Sequence, residues 1–349
     1  MKILHVVRRY GPVGGMERYV WELTRELAAL GHEVAVICER CHEEKPQNIV
    51  VHELGEIAWR PRWLSLLRFG WHVARWLRNN PRPGWIIHSN ERLSLHQVTT
   101  FHGPPFATVR EMPWWRKLSL RVVMQLYLER RELRTAIAIV SNSGLIRNQL
   151  AHFYPEYGHK LTEPVAPGVS AMLQREWKAV PANGGVVGFV GKEWQRKGLP
   201  LAAEVVKRLR HERPELELWV VGPQAGEVQH LFDSWEGGYR LLGWDDQAPY
   251  AQFDVLLHPA RAEPYGMVIS EAMAARVPVV VSDACGAAAQ VERDAGVVLP
   301  LTAAVEVWVE AVESQLRRSV PVRQFVRGWH EVAREYETIY RPISDKNPQ

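Results

Sequence analysis

One local plan occurs twice in this 349-residue chain, and it restricts the fold more than any other feature. In the first copy the apolar run Ile3-Leu4-His5-Val6-Val7 leads into the loop Tyr10-Gly-Pro-Val-Gly-Gly15. Residues 16–30 follow with Val20, Leu23, Leu27 and Leu30 at helical spacing, Gly31 stands where a helix should end, and residues 33–38 read as the next strand. The second copy has a strand at 185–190, a loop from Gly191 to Gly198, a helix at 199–210, and a strand at 216–221 closed by Gly222-Pro223. Strand, glycine loop, helix, strand is how a doubly wound α/β domain opens. Further strands are expected at 137–141, 255–258, 279–281 and 297–299, and a long amphipathic helix at 322–340.

The chain is too long for one ordinary core and suits two such domains. Pro164-Val-Ala-Pro-Gly168 and the polar stretch after it read as a linker, which places the boundary near 170–183. The expected division is therefore residues 1–170, residues 171–325, and a C-terminal segment 326–349. That segment would pack its helix back on the first domain and end in a polar tail. The fold class is α/β, with two Rossmann-like doubly wound domains facing a central cleft. Ligands in such sheets bind outside the carboxyl ends of the strands.

Composition narrows the function. With 43 Lys and Arg against 39 Asp and Glu, the net charge of +4 does not suggest a nucleic-acid partner. Cys38, Cys41 and Cys285 cannot build a disulfide framework and read as free thiols of a reducing compartment. No window approaches the ~20 apolar residues of a membrane span, and residues 3–7 are too short for a secretory signal.

Three strand-end loops carry candidate chemistry. Gly14 and Gly15 precede a helix, where bare amides can approach a phosphate; the same residues also suit a tight strand-to-helix turn. In Gly191-Lys192-Glu-Trp-Gln-Arg196-Lys197-Gly198, cations beside a helix start would neutralise a diphosphate, although a solvated basic turn has the same composition. In Glu263-Pro-Tyr265-Gly266-Met267-Val268-Ile-Ser-Glu271, two carboxylates flank a glycine and a helix start. Carboxylates accept hydrogen bonds from paired sugar hydroxyls, and amides after Gly266 would suit a phosphate; an acidic helix start is the plainer alternative.

Taken in order, these loops resemble the retaining glycosyltransferases of family 4, which have the GT-B fold. The resemblance includes Gly14-Gly15-Met-Glu17, Thr100-Phe-His102-Gly103, Val140-Ser-Asn-Ser143, Pro167-Gly-Val-Ser170, Phe189-Val-Gly191 through Gly198, Val220-Val-Gly222-Pro223, Leu242-Gly243-Trp244, and Glu263 through Ala274. It implies that Glu271 holds the donor ribose, that Glu263 lies against the donor sugar, and that Arg196 and Lys197 grip the leaving diphosphate. His102 would contact the donor sugar from the first domain. Gly14, Gly15, Gly191, Lys192, Tyr265, Gly266, Met267 and Val268 would complete the donor contacts. Two positions depart from the pattern: Lys192 stands where many relatives carry Arg, and Arg276 replaces the usual glycine before Val279.

Gln195-Arg-Lys-Gly198 and Asp283-Ala-Cys285-Gly286 are more narrowly similar to enzymes that build the lipopolysaccharide core. That resemblance implies a UDP-hexose donor and a core-oligosaccharide or lipid-linked acceptor. The segment between Trp59 and Arg82 holds four Trp, six Arg and no acid, with Leu64, Leu67, Trp71, Ala74 and Leu77 on one helical face. Residues 112–134 are similar, running from Met112 through Trp114, Trp115, Arg116, Lys117, Leu118, Leu120, Val122, Val123 and Leu126 to Arg134. Both segments suit an anionic membrane surface, and both could instead be core-facing helices with basic outer faces. The expectation is a cytoplasmic enzyme, peripheral on the inner face of the membrane.

No Asp-x-Asp metal site is evident, and Asp245-Asp246 reads as a turn or cap. Cations and helix-start amides can stabilise a leaving phosphate unaided, so neither metal nor cofactor is expected. A sugar-nucleotide epimerase of the same fold and an inert sugar-nucleotide-binding scaffold are the alternatives. A nicotinamide oxidoreductase lacks its glycine fingerprint here.

Overall fold

The computed structural model describes residues 1–56, 61–116, 118–244 and 248–345. Trp59, Lys117, the Asp245-Asp246 pair and the end of the polar tail lie outside the described residues, as does the side chain of Arg116. The chain divides into two compact units, Met1–Gly168 with Gly328–Gln349, and Val169–Arg327.

Each unit is built on a six-stranded parallel sheet. In the N-terminal unit the strands in chain order are Lys2–Val6, Glu33–Cys38, Ile49–Glu53, Trp85–Ser89, Val98–Phe101 and Ala138–Ser141. In the C-terminal unit they are Gly184–Val190, Glu215–Val221, Tyr239–Gly243, Val255–His258, Val279–Ser282 and Gly296–Leu299. Numbered along the chain within each unit, both sheets have the order 3-2-1-4-5-6. That is the doubly wound order, with its switch point between the first and fourth strands. Several inner strands are buried on both faces; Val98–Phe101, Val255–His258 and Val279–Ser282 are buried at every position.

Amphipathic helices supply the covering layers. Gly15–Ala29 buries Val20, Leu23 and Leu27, and Leu199–Leu209 buries Ala202, Val205, Val206 and Leu209. In the C-terminal unit these meet Phe189, Leu218 and the fully buried Trp308 in one core. Each large side chain so placed contributes about 1.5–3 kcal/mol from burial.

Two expectations need correction. The C-terminal helix is Trp329–Asp345, not 322–340. Residues 322–328 carry helical apolar spacing, but their amides and carbonyls are used elsewhere. Phe325 N–H donates to the Met273 carbonyl, and the Arg327 carbonyl accepts from Val169. The helix at 62–79 also presents a different face from the expected one. Leu66, Phe69 and Val73 point into the core, while Trp71 is 53% exposed. Apolar residues surround most of this helix, so spacing alone could not choose its phase.

Helix Trp329–Asp345 belongs to the N-terminal unit and is fixed by a buried polar network. His88 Nδ1 lies 2.6 Å from the Tyr340 hydroxyl, and His88 Nε2 lies 2.8 Å from Thr100 Oγ1. The Tyr336 hydroxyl lies 2.8 Å from Thr100 Oγ1 and 3.2 Å from the Tyr19 hydroxyl. Among the described residues, no helix is long and apolar enough to cross a membrane.

Candidate functional site

Arg196, Lys197 and Glu263 of the C-terminal unit converge at its switch point, beyond the carboxyl ends of the first and fourth strands. The first strand runs into Gly191 and the short helix Trp194–Lys197. Lys197 Nζ lies 3.0 Å from Glu263 Oε2, and Arg196 Nη1 approaches the same oxygen at 3.4 Å. The Arg196 guanidinium also donates to the Ala262 carbonyl and, at 2.8 Å, to Glu193. Gly191 makes this possible. A Cβ there would sit 2.0 Å from Lys197 Cδ, so any side chain would push the lysine stem aside.

The fourth strand ends at His258, and the loop after it delivers Glu263. The Glu263 amide donates to the Ala284 carbonyl at 3.0 Å, and its carbonyl accepts from Gly286 at 3.0 Å. The Arg261 amide donates to the Arg196 carbonyl at 2.8 Å, which ties the two loops together. Gly266, at φ +96°, then caps helix Met267–Ala274. A Cβ at Gly266 would crowd Ile269 and the Glu263 stem besides forcing the left-handed backbone. Met267 and Val268 contribute first-turn amides, which have no carbonyl partner within a helix.

Burial opposes charge on Glu263, but the His258 ring, the Lys197 ammonium and the Arg196 guanidinium outweigh it. The carboxyl is held well below the usual range, so it is an anion at neutral pH. His258 is fully buried, which pushes its pKa down. Its Nε2 is 3.8 Å from Glu263 Oε2, too long for a hydrogen bond. On the helix, Glu271 is buried and accepts a 2.7 Å hydrogen bond from the Tyr250 hydroxyl.

Two expected donor residues are placed differently from this cluster. Lys192 stands apart, with Nζ 3.5 Å from the centroid of the Trp244 ring. Tyr265 turns inward. Its hydroxyl is 2.8 Å from Ser270 Oγ and 2.7 Å from Gln290 Oε1, and its carbonyl accepts from Ala287. Burial raises its pKa to about 12. Its side chain holds the loop from within. Arg276 carries a φ of +61°, the left-handed turn that a glycine would have filled without strain.

In the N-terminal unit, Gly14 precedes helix Gly15–Ala29, and a Cβ at Gly15 would meet nothing within 4 Å. His102 follows the fifth strand. Its Nε2 is 2.9 Å from Asn90 Oδ1, and its carbonyl accepts from Asn142 Nδ2 at 3.3 Å. Burial lowers its pKa to about 3, so the ring is neutral. Asn90, His102 and Asn142 follow three adjacent strands of this sheet. Glu91, beside Asn90, accepts from the Arg8 amide at 3.4 Å, and burial raises its pKa to about 7.

The residue patterns single out neither Asn90, Glu91 nor His258 for a role. The available signal is position, since each lies at or next to the end of a fourth strand, where a doubly wound sheet collects its ligands. The arrangement in the C-terminal unit pairs two cations and a glycine-opened helix start with a buried carboxylate. That combination can hold a diphosphate and bring an anionic oxygen beside it. Among the described residues, no group of three or more His, Cys, Asp or Glu side chains is arranged to hold a metal ion.

Comparison with known proteins agrees with this organisation. Residues 13–170 match the family described as Glycosyltransferase Family 4, and residues 184–318 match Glycosyl transferases group 1. A D-inositol 3-phosphate glycosyltransferase of Jonesia denitrificans is 23% identical, over 89% of this chain and 86% of that one. A GDP-mannose-dependent alpha-mannosyltransferase of Mycolicibacterium smegmatis is 26% identical, over 82% of this chain and 80% of that one. The fold is also that of WaaG, a glycosyltransferase involved in lipopolysaccharide biosynthesis, with a TM-score of 0.76, 19% identity and 99% of each chain covered. The chain belongs to glycosyltransferase family 4 and has the GT-B fold.

Proposed function

We propose that this glycosyltransferase moves a hexosyl unit from a UDP-sugar to a lipopolysaccharide-core or other lipid-linked glycan, with retention at the anomeric carbon. The observation that carries the donor half is the meeting of Arg196, Lys197 and Glu263 beside the helix start at Gly266. In this reading the two cations take the diphosphate, and the amides of Met267 and Val268 assist. Glu271 takes the ribose hydroxyls, and Glu263 lies against the sugar. Positive charge already in place stabilises the leaving phosphate, so the reaction runs without a metal.

The acceptor half is supported by an exposed apolar surface. Met112, Trp114, Trp115, Leu118, Leu120, Val123 and Tyr127 are all exposed within one short stretch, with Arg110 and Arg121 nearby. A run like this beside basic residues suits an anionic lipid surface carrying the acceptor. The enzyme would then work at the inner face of the cytoplasmic membrane.

Transfer from UDP-glucose to a lipid-linked core glycan, followed by NMR in excess EDTA, tests the reading. The expected product keeps the donor's anomeric configuration. Inverted product, or a strict requirement for a divalent ion, would overturn the corresponding part. Transfer from GDP-mannose alone would replace UDP in the account, and a new sugar nucleotide formed without acceptor would favour an epimerase.

A further inference from the structure

His258 closes a strand of apolar residues and is itself fully buried, with its ring stacked 6.2 Å from that of Phe189. Among the described residues, neither of its ring nitrogens has a hydrogen-bond partner. Buried polar atoms are nearly always paired, so leucine or valine would suit this position better if its only task were packing. The polar group in front of the ring is Glu263 Oε2, 3.8 Å from Nε2. Lys197 and Arg196 hold that same oxygen, at 3.0 and 3.4 Å.

Three groups therefore share one carboxylate oxygen, and they differ in access. The Arg196 side chain is 33% exposed and that of Lys197 15%, whereas His258 is completely enclosed. An arriving diphosphate can recruit the two cations. It cannot recruit the enclosed histidine, which faces Glu263 Oε2.

We infer that His258 is the positioning residue for Glu263. When the diphosphate of a sugar nucleotide draws Arg196 and Lys197 away, His258 Nε2–H closes onto Oε2 and keeps the carboxylate in place. This rests on the donor-site reading given above. It also fixes a direction for the proton. In the free protein, burial and the charges of Lys197 and Arg196 keep the ring neutral, against the pull of Glu263. With the cations turned to phosphate, Glu263 is the charged group left facing the ring, and the ring's affinity for a proton from solvent rises.

Nitrogen NMR of the full chain labelled in histidine, titrated with UDP and with GDP, reads this directly. Thermal stabilisation by each nucleotide is measured on the same samples. The expected result is a binding-dependent shift of His258 Nε2 toward a hydrogen-bonded donor, with its titration midpoint moved upward. In hydrolysis of UDP-glucose or GDP-mannose, His258→Leu should lower kcat by roughly tenfold, the scale of one lost hydrogen bond, with KM little changed. His258→Gln, whose amide can donate from a similar reach, should restore most of that loss. Unchanged His258 resonances in a protein that the nucleotide does stabilise would overturn this inference alone, as would wild-type kcat in His258→Leu. Absence of stabilisation by either nucleotide would overturn the donor-site reading and this inference with it.

Discussion

Lys197 reaches Glu263, with Nζ 3.0 Å from Oε2, by laying its aliphatic stem across the backbone of Gly191. One missing side chain thus decides whether a cation from the first strand's loop meets a carboxylate from the fourth strand's loop. Gly191→Ala should displace the lysine without touching either charged residue. Nucleoside diphosphate affinity is expected to fall about tenfold or more, the worth of one charge-assisted contact. Calorimetric titration of the variant checks this. Unchanged affinity would mean that Lys197 does not serve the phosphate.

Tyr250 orients Glu271 through a 2.7 Å hydrogen bond inside the C-terminal unit. Tyr250→Phe removes the hydroxyl and little volume. If Glu271 holds the ribose, KM for the sugar nucleotide should rise by several-fold to tenfold with kcat nearly constant, since a uniform binding contact is lost. A selective fall in kcat would instead place Glu271 closer to the reacting bond.

Trp114 and Trp115 are 67% and 63% exposed, with ring centroids 6.1 Å apart. Replacing both with Ala should reduce co-sedimentation with phosphatidylglycerol vesicles. Raising the salt should weaken binding of the wild type as well, because each basic residue near an anionic surface contributes about 1 kcal/mol. Binding that neither change affects would remove the membrane from the account.

Acid should destabilise the N-terminal unit well before it reaches ordinary carboxylates. Burial lowers the pKa of His5 to about 3, and His88 is lowered likewise. Unfolding lets both rings titrate near the ordinary histidine value of 6.5. At these two rings the unfolded chain binds more protons, so their contribution to stability is full above pH 6.5 and falls as the pH drops toward the folded-state values. Each neutral histidine should cost about 1 kcal/mol by pH 5.5. Chemical denaturation across pH 5–8 reads this slope as the difference between the wild type and His5→Leu, because Glu91 and Glu132, raised by burial to about 7 and about 8, take up protons in the folded state and oppose it. Identical slopes would contradict the burial of His5.

The repeated strand–loop–helix plan made both sheets foreseeable, because apolar runs bounded by glycine carry the doubly wound signal without help from distant residues. Strands such as Ile49–Glu53 and Val98–Phe101 were harder to find. The first is a mixed edge strand, and the second, Val-Thr-Thr-Phe, is too short to show a period. The Glu263–Glu271 stretch was visible as a motif, yet its Glu263 carboxylate pairs with Arg196 and Lys197, which lie more than sixty residues earlier. Spacing cannot report such a meeting; sheet order does. His258 was legible only as the end of a strand, since nothing local marks a histidine whose facing carboxylate arrives on the next loop. Tyr265 illustrates the opposite limit. Its place in the motif suggests donor contact, while its hydroxyl is taken by Ser270 and Gln290.

If the C-terminal switch point is a sugar-nucleotide site, nucleotide binding there requires Lys197 and Glu263. Thermal shift of the full chain with UDP-, GDP- and ADP-sugars, run beside Lys197→Ala, tests it most directly. A ligand at 100 times its Kd stabilises the fold by about 2.7 kcal/mol, an easily read rise in Tm. Such a rise is expected for one nucleotide class in the wild type and is expected to be lost in Lys197→Ala. Equal stabilisation of both proteins, or none by any of the three classes, would contradict it.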